Sequence, residues 1–149
     1  VAKQAKSNKR KKDKNNAKPT RPNESTDNCK MIWIFDSVDN DGVFRFDPSR
    51  SDMNCADILD KILQYSKRTW ADIKSEKHDN GKTKHHFLTG KGFSKAALER
   101  IDKLQIETAN ENIFSIRINN LTRIIGLRDG EKFITKWFDP DHNFYPTTM

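Results

Sequence analysis

Cysteine is scarce in this chain: two residues, Cys29 and Cys55, among 149. That is too few for a disulfide framework, and neither lies in a Cys-x-x-Cys metal motif, so both are expected as free thiols in a reducing compartment. Long apolar runs are missing as well. No stretch approaches the roughly 18 consecutive apolar residues of a membrane span, and the lysine-rich start lacks the apolar core of a signal peptide. The expectation is a cytoplasmic protein with no membrane partner. Only 34% of the sequence is hydrophobic, which leaves room for one compact core and argues against a second folded unit.

Positive charge is present but uneven. The net charge is +7, yet residues 1–28 hold nine Lys or Arg against three Asp or Glu, a net of +6. That leaves nineteen basic against eighteen acidic residues in 29–149, a net of +1. The first segment has only Val1, Ala2, Ala5 and Ala17 to bury, and Pro19 and Pro22 oppose helix, so residues 1–28 are expected to form a disordered basic tail. Its run Lys9-Arg10-Lys11-Lys12 suits phosphate contacts that weaken as salt rises. A merely solubilising extension is the alternative.

Residues 29–149 read as a single α+β domain. The apolar run 31–35, the turn signal Asp39-Asn40-Asp41-Gly42 and the alternating run 43–46 predict an N-terminal strand or hairpin, closed by Pro48. The acidic turn is no calcium loop. With Gly42 at the sixth position, the first and twelfth fall on Ser37 and Pro48, where Asp and Glu are needed. Cys55, Ile58, Leu59, Ile62 and Leu63 then recur at helical spacing, which predicts a core-facing helix capped by Asp52 or Asn54. Thr69-Trp70-Ala71-Asp72 resembles a capping box and predicts a short second helix through Ser75, with Trp70 and Ile73 in the core. Residues 76–92 are polar and irregular. A third helix is expected from a Ser94 cap, with Ala97, Leu98, Ile101 and Leu104 on one face.

The last third carries the chemistry. Three alternating runs, 113–118, 122–128 and 132–138, predict an antiparallel three-stranded C-terminal meander packed on two to three helices. A three-residue loop Asn119-Asn120-Leu121 pairs Arg117 with Arg123 and sends Phe114, Ile116, Ile118 and Ile124 to the opposite face. A tight Asp129-Gly130 turn then sets Lys136 opposite Arg123 and places Phe133, Thr135 and Trp137 on the face of Ile124. One face is thus expected to pack on the helices. The other presents Arg117, Arg123 and Lys136, interleaved with Ser115, Ile125 and Ile134. Like charges opposed in a sheet destabilise it, so this row predicts an anionic ligand, phosphate above all. The alternative is that each cation pairs with a nearby carboxylate or lines a solvated face.

The stretch Ser115-Ile116-Arg117-Ile118-Asn119-Asn120-Leu121-Thr122-Arg123 resembles the heart of the RelE superfamily of toxins, especially its HigB and YoeB branches. Two arginines six positions apart, a short polar loop, a third strand and an ending with His142 and Tyr145 are similar to that pattern over about residues 94–145. The chain departs from it in the first forty folded residues, in the two residues between His142 and Tyr145, and in offering no match for the YoeB glutamate. The resemblance implies a metal-independent endoribonuclease, with no cofactor, in which the 2′-OH of RNA attacks the adjacent phosphorus. Arg117 and Arg123 would grip the phosphate, Lys136 would be a further cation or base, and His142 would carry the proton. Tyr145 or Phe144 would stack a base. The implied partners are RNA, ribosome-bound mRNA included, and an antitoxin protein.

His78, His85 and His86 are expected on a surface loop, because adjacent strand residues face opposite ways and no cysteine completes a zinc site. Lys82, Lys84 and Lys91, together with Lys77, would help hold RNA. Gly90-Lys91-Gly92 is too short for a phosphate loop, which excludes nucleotide hydrolysis. Two other functions compete with cleavage: a non-catalytic nucleic-acid-binding module, and an accessory protein of a mobile element.

Overall fold

The computed structural model describes residues 23–108 and 112–146. Within them the broad class is α+β: three helices and a five-stranded mixed sheet. The helices are α1 (Cys55–Tyr65), α2 (Trp70–Ser75) and α3 (Lys95–Lys103). The strands are β1 (Ile32–Ile34), β2 (His86–Phe87), β3 (Ile113–Arg117), β4 (Arg123–Asp129) and β5 (Lys132–Asp139). Their order across the sheet is β1-β5-β4-β3-β2, with β1 parallel to β5 and the other neighbours antiparallel. The expected three-stranded meander is therefore the centre of a larger mixed sheet.

Local chemistry starts each helix. Asn54 accepts from the Asp57 N–H, Ser94 from the Ala97 N–H, and Thr69 and Asp72 form a reciprocal capping box. Each cap satisfies a donor that the first helical turn leaves unpaired, and each is worth about 1 kcal/mol.

The N-terminal hairpin is shorter than its sequence suggests. Gly42 takes the left-handed conformation of a turn (φ 83°), but residues 43–46 make only an isolated bridge from Arg45 to Trp137. Asp39 and Phe44 instead extend the edge of β5, through hydrogen bonds with Lys136 and Phe138.

Both faces of the sheet are covered, contrary to the expectation of one solvated face. On one side Phe114, Ile116, Ile118, Ile124, Phe133 and Phe138 pack with Ile58 and Tyr65 of α1 and Trp70 and Ile73 of α2. On the other, Ile113, Ile125, Leu127 and Trp137 pack with Ala97 and Ile101 of α3 and with Phe44, Phe93 and Phe144. Leu59 and Leu63 stay exposed, so α1 buries a narrower stripe than its apolar periodicity predicts.

Trp137 changes sides through a bulge. Ile125 pairs with Trp137 but Gly126 pairs with Thr135, which leaves Lys136 as the extra residue of β5. A β-carbon at Gly126 would collide with the Ile134 carbonyl, so glycine permits the close approach there. The turn before β5 is Gly130-Glu131 and not the expected Asp129-Gly130, which shifts the register by two residues, and the bulge adds one more, so Arg123 faces Asp139 and not Lys136.

The folded part also begins before residue 29. A 3-10 turn, Asn23–Thr26, docks on β4, where Arg128 donates to the Asn23 carbonyl (2.8 Å), Thr26 Oγ1 (3.2 Å) and Asp27 Oδ1 (2.7 Å). Residues 23–28, expected in the tail, thus hold a fully buried arginine. Lys9, Arg10, Lys11 and Lys12 lie outside the described residues.

Candidate functional site

Arg117 and Arg123 occupy directly opposed positions on β3 and β4. The connecting loop fixes that register: Asn119 Oδ1 accepts from the N–H groups of Leu121 (3.0 Å) and Thr122 (2.9 Å), and the Ile118 N–H donates to the Thr122 carbonyl. Both arginines share a sheet face with Ser115 and Ile125, and all four line an open cleft of about 1050 Å³. One wall is a tight turn closed by a Lys77 to Thr83 bridge, carrying His78 and Lys82. Other walls come from β2, from the segment before α3, and from the chain after β5.

Seven of the residues singled out in the sequence line this cleft, Arg117, Arg123, His142, Tyr145, Lys82, Lys84 and Lys91, although the Lys84 ammonium is held by Glu76 (3.1 Å). Two do not. The Lys136 ammonium donates to the carbonyl and hydroxyl of Ser37, both at 3.0 Å, because the bulge turns it toward β5's outer edge. Phe144 is fully buried between Phe44, Phe93 and Trp137, so it cannot stack on a base.

The two cleft arginines differ from the rest. Arg45, Arg50, Arg68, Arg100 and Arg128 each pair with a carboxylate, those of Asp47, Asp52, Glu76, Asp39 and Asp27 in turn. Among the described residues Arg117 and Arg123 form no such pair. Arg123 is 8% exposed and donates from Nη1 to the carbonyls of Asn119, Asn120 and Thr122. Burial, together with the neighbouring Arg117 charge, pulls its pKa down to about 10 against the opposing field of Asp139. A cation so placed is stabilised by any anion that enters. Arg117 donates from Nη1 to His78 Nε2 (2.7 Å) and from Nη2 to Asn120 Oδ1 (2.6 Å).

Three imidazoles line the same cleft: His78, His86 and His142. All three are held below the ordinary histidine range. Desolvation is the leading cause in each, followed by Arg117 for His78 and by Arg123 for His86 and His142. Neutral imidazoles can accept a proton near pH 7. Asp139 is fully buried, its carboxyl raised by burial against hydrogen bonds from the Asn143 and Phe144 N–H groups. Tyr145 stands edge-on to Phe93, its hydroxyl donating to the Thr89 carbonyl. A β-carbon at Gly92 would collide with that ring, so Gly92 makes room for Tyr145.

His85 is not a surface residue. It is 1% exposed, accepts the Arg117 N–H at Nδ1 (3.0 Å) and meets Glu76 Oε1 through Nε2 (3.0 Å). His86 follows it as the first residue of β2 and lines the cleft. Alternation along a strand was the available signal that these neighbours separate, one to the core and one to the site. His78 and Asp139 carried no comparable mark, because only long-range folding brings them to Arg117 and Arg123.

Among the described residues no three His, Cys, Asp or Glu side chains are grouped so as to hold a metal ion. No described helix is long and apolar enough to cross a membrane. Compared with protein-family models, with curated proteins and with solved structures, the chain shows no match.

Proposed function

We propose that this cleft binds RNA by its phosphates and cleaves it without a metal ion, in the manner of a RelE-like endoribonuclease. One observation carries the reading. The two described arginines without a carboxylate partner are paired across adjacent strands, in a cleft that also holds three imidazoles. Guanidinium groups grip phosphate oxygens and stabilise the extra charge of a phosphorane, and imidazoles move protons near neutral pH.

In this scheme Arg117 and Arg123 hold the scissile phosphate. One imidazole, His142 or His86, takes the proton of the 2′-OH as that oxygen attacks phosphorus. The other returns a proton to the departing 5′ oxygen, leaving a 2′,3′-cyclic phosphate and a 5′-hydroxyl. The entering phosphate raises the imidazole pKa values and so favours the protonated acid. Lys82 and Lys91 lie on the cleft wall where flanking phosphates would pass, and the Tyr145 ring offers a surface for a base. Lys136 has no part, since it is tethered to Ser37.

The test is incubation of labelled single-stranded RNA with the protein in excess chelator, beside the same RNA carrying 2′-deoxy residues. Cleavage of the first alone, with cyclic-phosphate ends, is the expected result. Retardation of RNA in a gel without cleavage would leave a binding module, and neither effect would remove nucleic acid from the account.

A further inference from the structure

Asp139 ends β5, fully buried, with both carboxylate oxygens engaged: Oδ1 accepts the Asn143 N–H (2.9 Å) and Oδ2 the Phe144 N–H (2.8 Å). These bonds tie the strand end to the chain four and five residues on. Between them His142 adopts φ 60°, a left-handed conformation that costs a non-glycine residue of order 1 kcal/mol or more. Among the described residues only Gln105 shares this trait, and it closes α3, where left-handed residues are usual. His142 has no helix end to account for its strain. What it has is a place in the cleft with Arg123.

We propose that Asp139 is a positioning residue, whose buried carboxylate holds the 139–144 turn in the form that presents the His142 imidazole to the cleft. A burial cost is offset by the two amide donors and by the opposed Arg123, the residue that Asp139 faces across β4 and β5. The groups that bear on His142 are Arg123 and Arg117 from the sheet, His86 from β2 and Asp139 from its own turn. The negative charge of Asp139 therefore also favours protonation of His142, against the two guanidinium groups. The role in catalysis rests on the function proposed above, whereas the geometric claim does not.

The deciding variant is Asp139→Asn, which keeps the shape but replaces one accepting oxygen by an NH₂ that cannot accept. By NMR, His142 should lose its left-handed backbone signature, and its imidazole should titrate at lower pH than in the unaltered protein. In RNA cleavage kcat should fall at least about tenfold while KM changes by no more than about twofold, because Arg117 and Arg123 keep their own tethers to Asn120, His78 and the loop carbonyls. An unchanged backbone conformation and titration in this variant would overturn the proposal. If Asp139→Asn does not fold, His142→Gly is compared with His142→Ala. Relief of an imposed positive φ should make the glycine variant melt higher by roughly 2–5 °C, and equal or reversed melting overturns the proposal. Absence of cleavage by the unaltered protein would instead overturn the proposed function, with the NMR result still judging Asp139.

Discussion

Two clusters of charge lie back to back at His85 and His86, and they are built on opposite rules. Behind His85, Arg68, Lys84 and His85 itself converge on Glu76 at 2.7, 3.1 and 3.0 Å. Burial would raise the Glu76 carboxyl, but bonds from His85, Arg68 and Lys84 outweigh it and hold the pKa down to about 2. In front of His86, Arg117 and Arg123 meet three imidazoles and only one lining carboxylate, already bonded to two amides. The first arrangement is electrostatically complete and serves the fold. The second leaves two guanidinium groups on the cleft with no carboxylate partner among the described residues, which is what an anionic ligand requires.

The largest expected effect tests the incomplete cluster. Arg123→Ala should reduce RNA cleavage about 10²- to 10³-fold, since it removes a donor aimed at charge that develops in the transition state. His142→Ala should cost about 10²- to 10⁴-fold, as loss of a proton carrier does. Initial rates measure both, and Lys103→Ala on the exposed side of α3 should match the unaltered protein.

Next come the satisfied charges. A chain that begins at residue 29 leaves buried Arg128 without Asn23, Thr26 and Asp27, and should be less stable than one beginning at residue 23 by roughly 3 kcal/mol in urea unfolding. Equal stability would show that the 3-10 turn merely rests on the sheet.

Acid acts on the same class of group. Burial is the main reason His85 falls to about 4, despite the pull of Glu76. A histidine whose folded pKa lies below its unfolded value near 6.5 binds more protons when unfolded. Its stabilisation is complete above about pH 6.5 and shrinks as pH falls toward 4, by roughly 2–3 kcal/mol. Glu76 adds a second loss between about pH 4.5 and 2. Urea unfolding at pH 7, 5 and 4 measures the first window, and His85→Gln should flatten it. The smallest effect belongs to Lys136→Ala, which should leave cleavage within about twofold, because that ammonium is held by Ser37 outside the cleft.

How far the site could be read from sequence follows from how local each determinant is. The pairing of Arg117 with Arg123 was legible, because alternation on either side of a short polar loop permits one register that separates apolar from charged residues. The position of Lys136 was not. Its strand alternates acceptably with or without a bulge, and the mark of the bulge is Gly126 on the partner strand. The three helix starts were legible from their caps, whereas the parallel pairing of β1 with β5 depends on a crossover that no local pattern encodes. Residues 23–28 looked too polar to fold because their task is polar: they satisfy Arg128 rather than bury apolar surface. Among the imidazoles, the sequence marked His142 and alternation could have separated His86 from His85, while His78 reaches the cleft through tertiary folding alone.

The adjacent histidines give the most direct test of the central claim, that one charge cluster is complete and the other awaits an anion. Imidazole titrations of His85, His86 and His142 can be followed by NMR, with and without RNA methylated at every 2′ oxygen so that it binds without being cut. Bound phosphate should raise the midpoints of His86 and His142 and leave His85 near its depressed value of about 4. Unmoved midpoints for His86 and His142 in the presence of bound RNA would contradict the account, as would a His85 that moves with them.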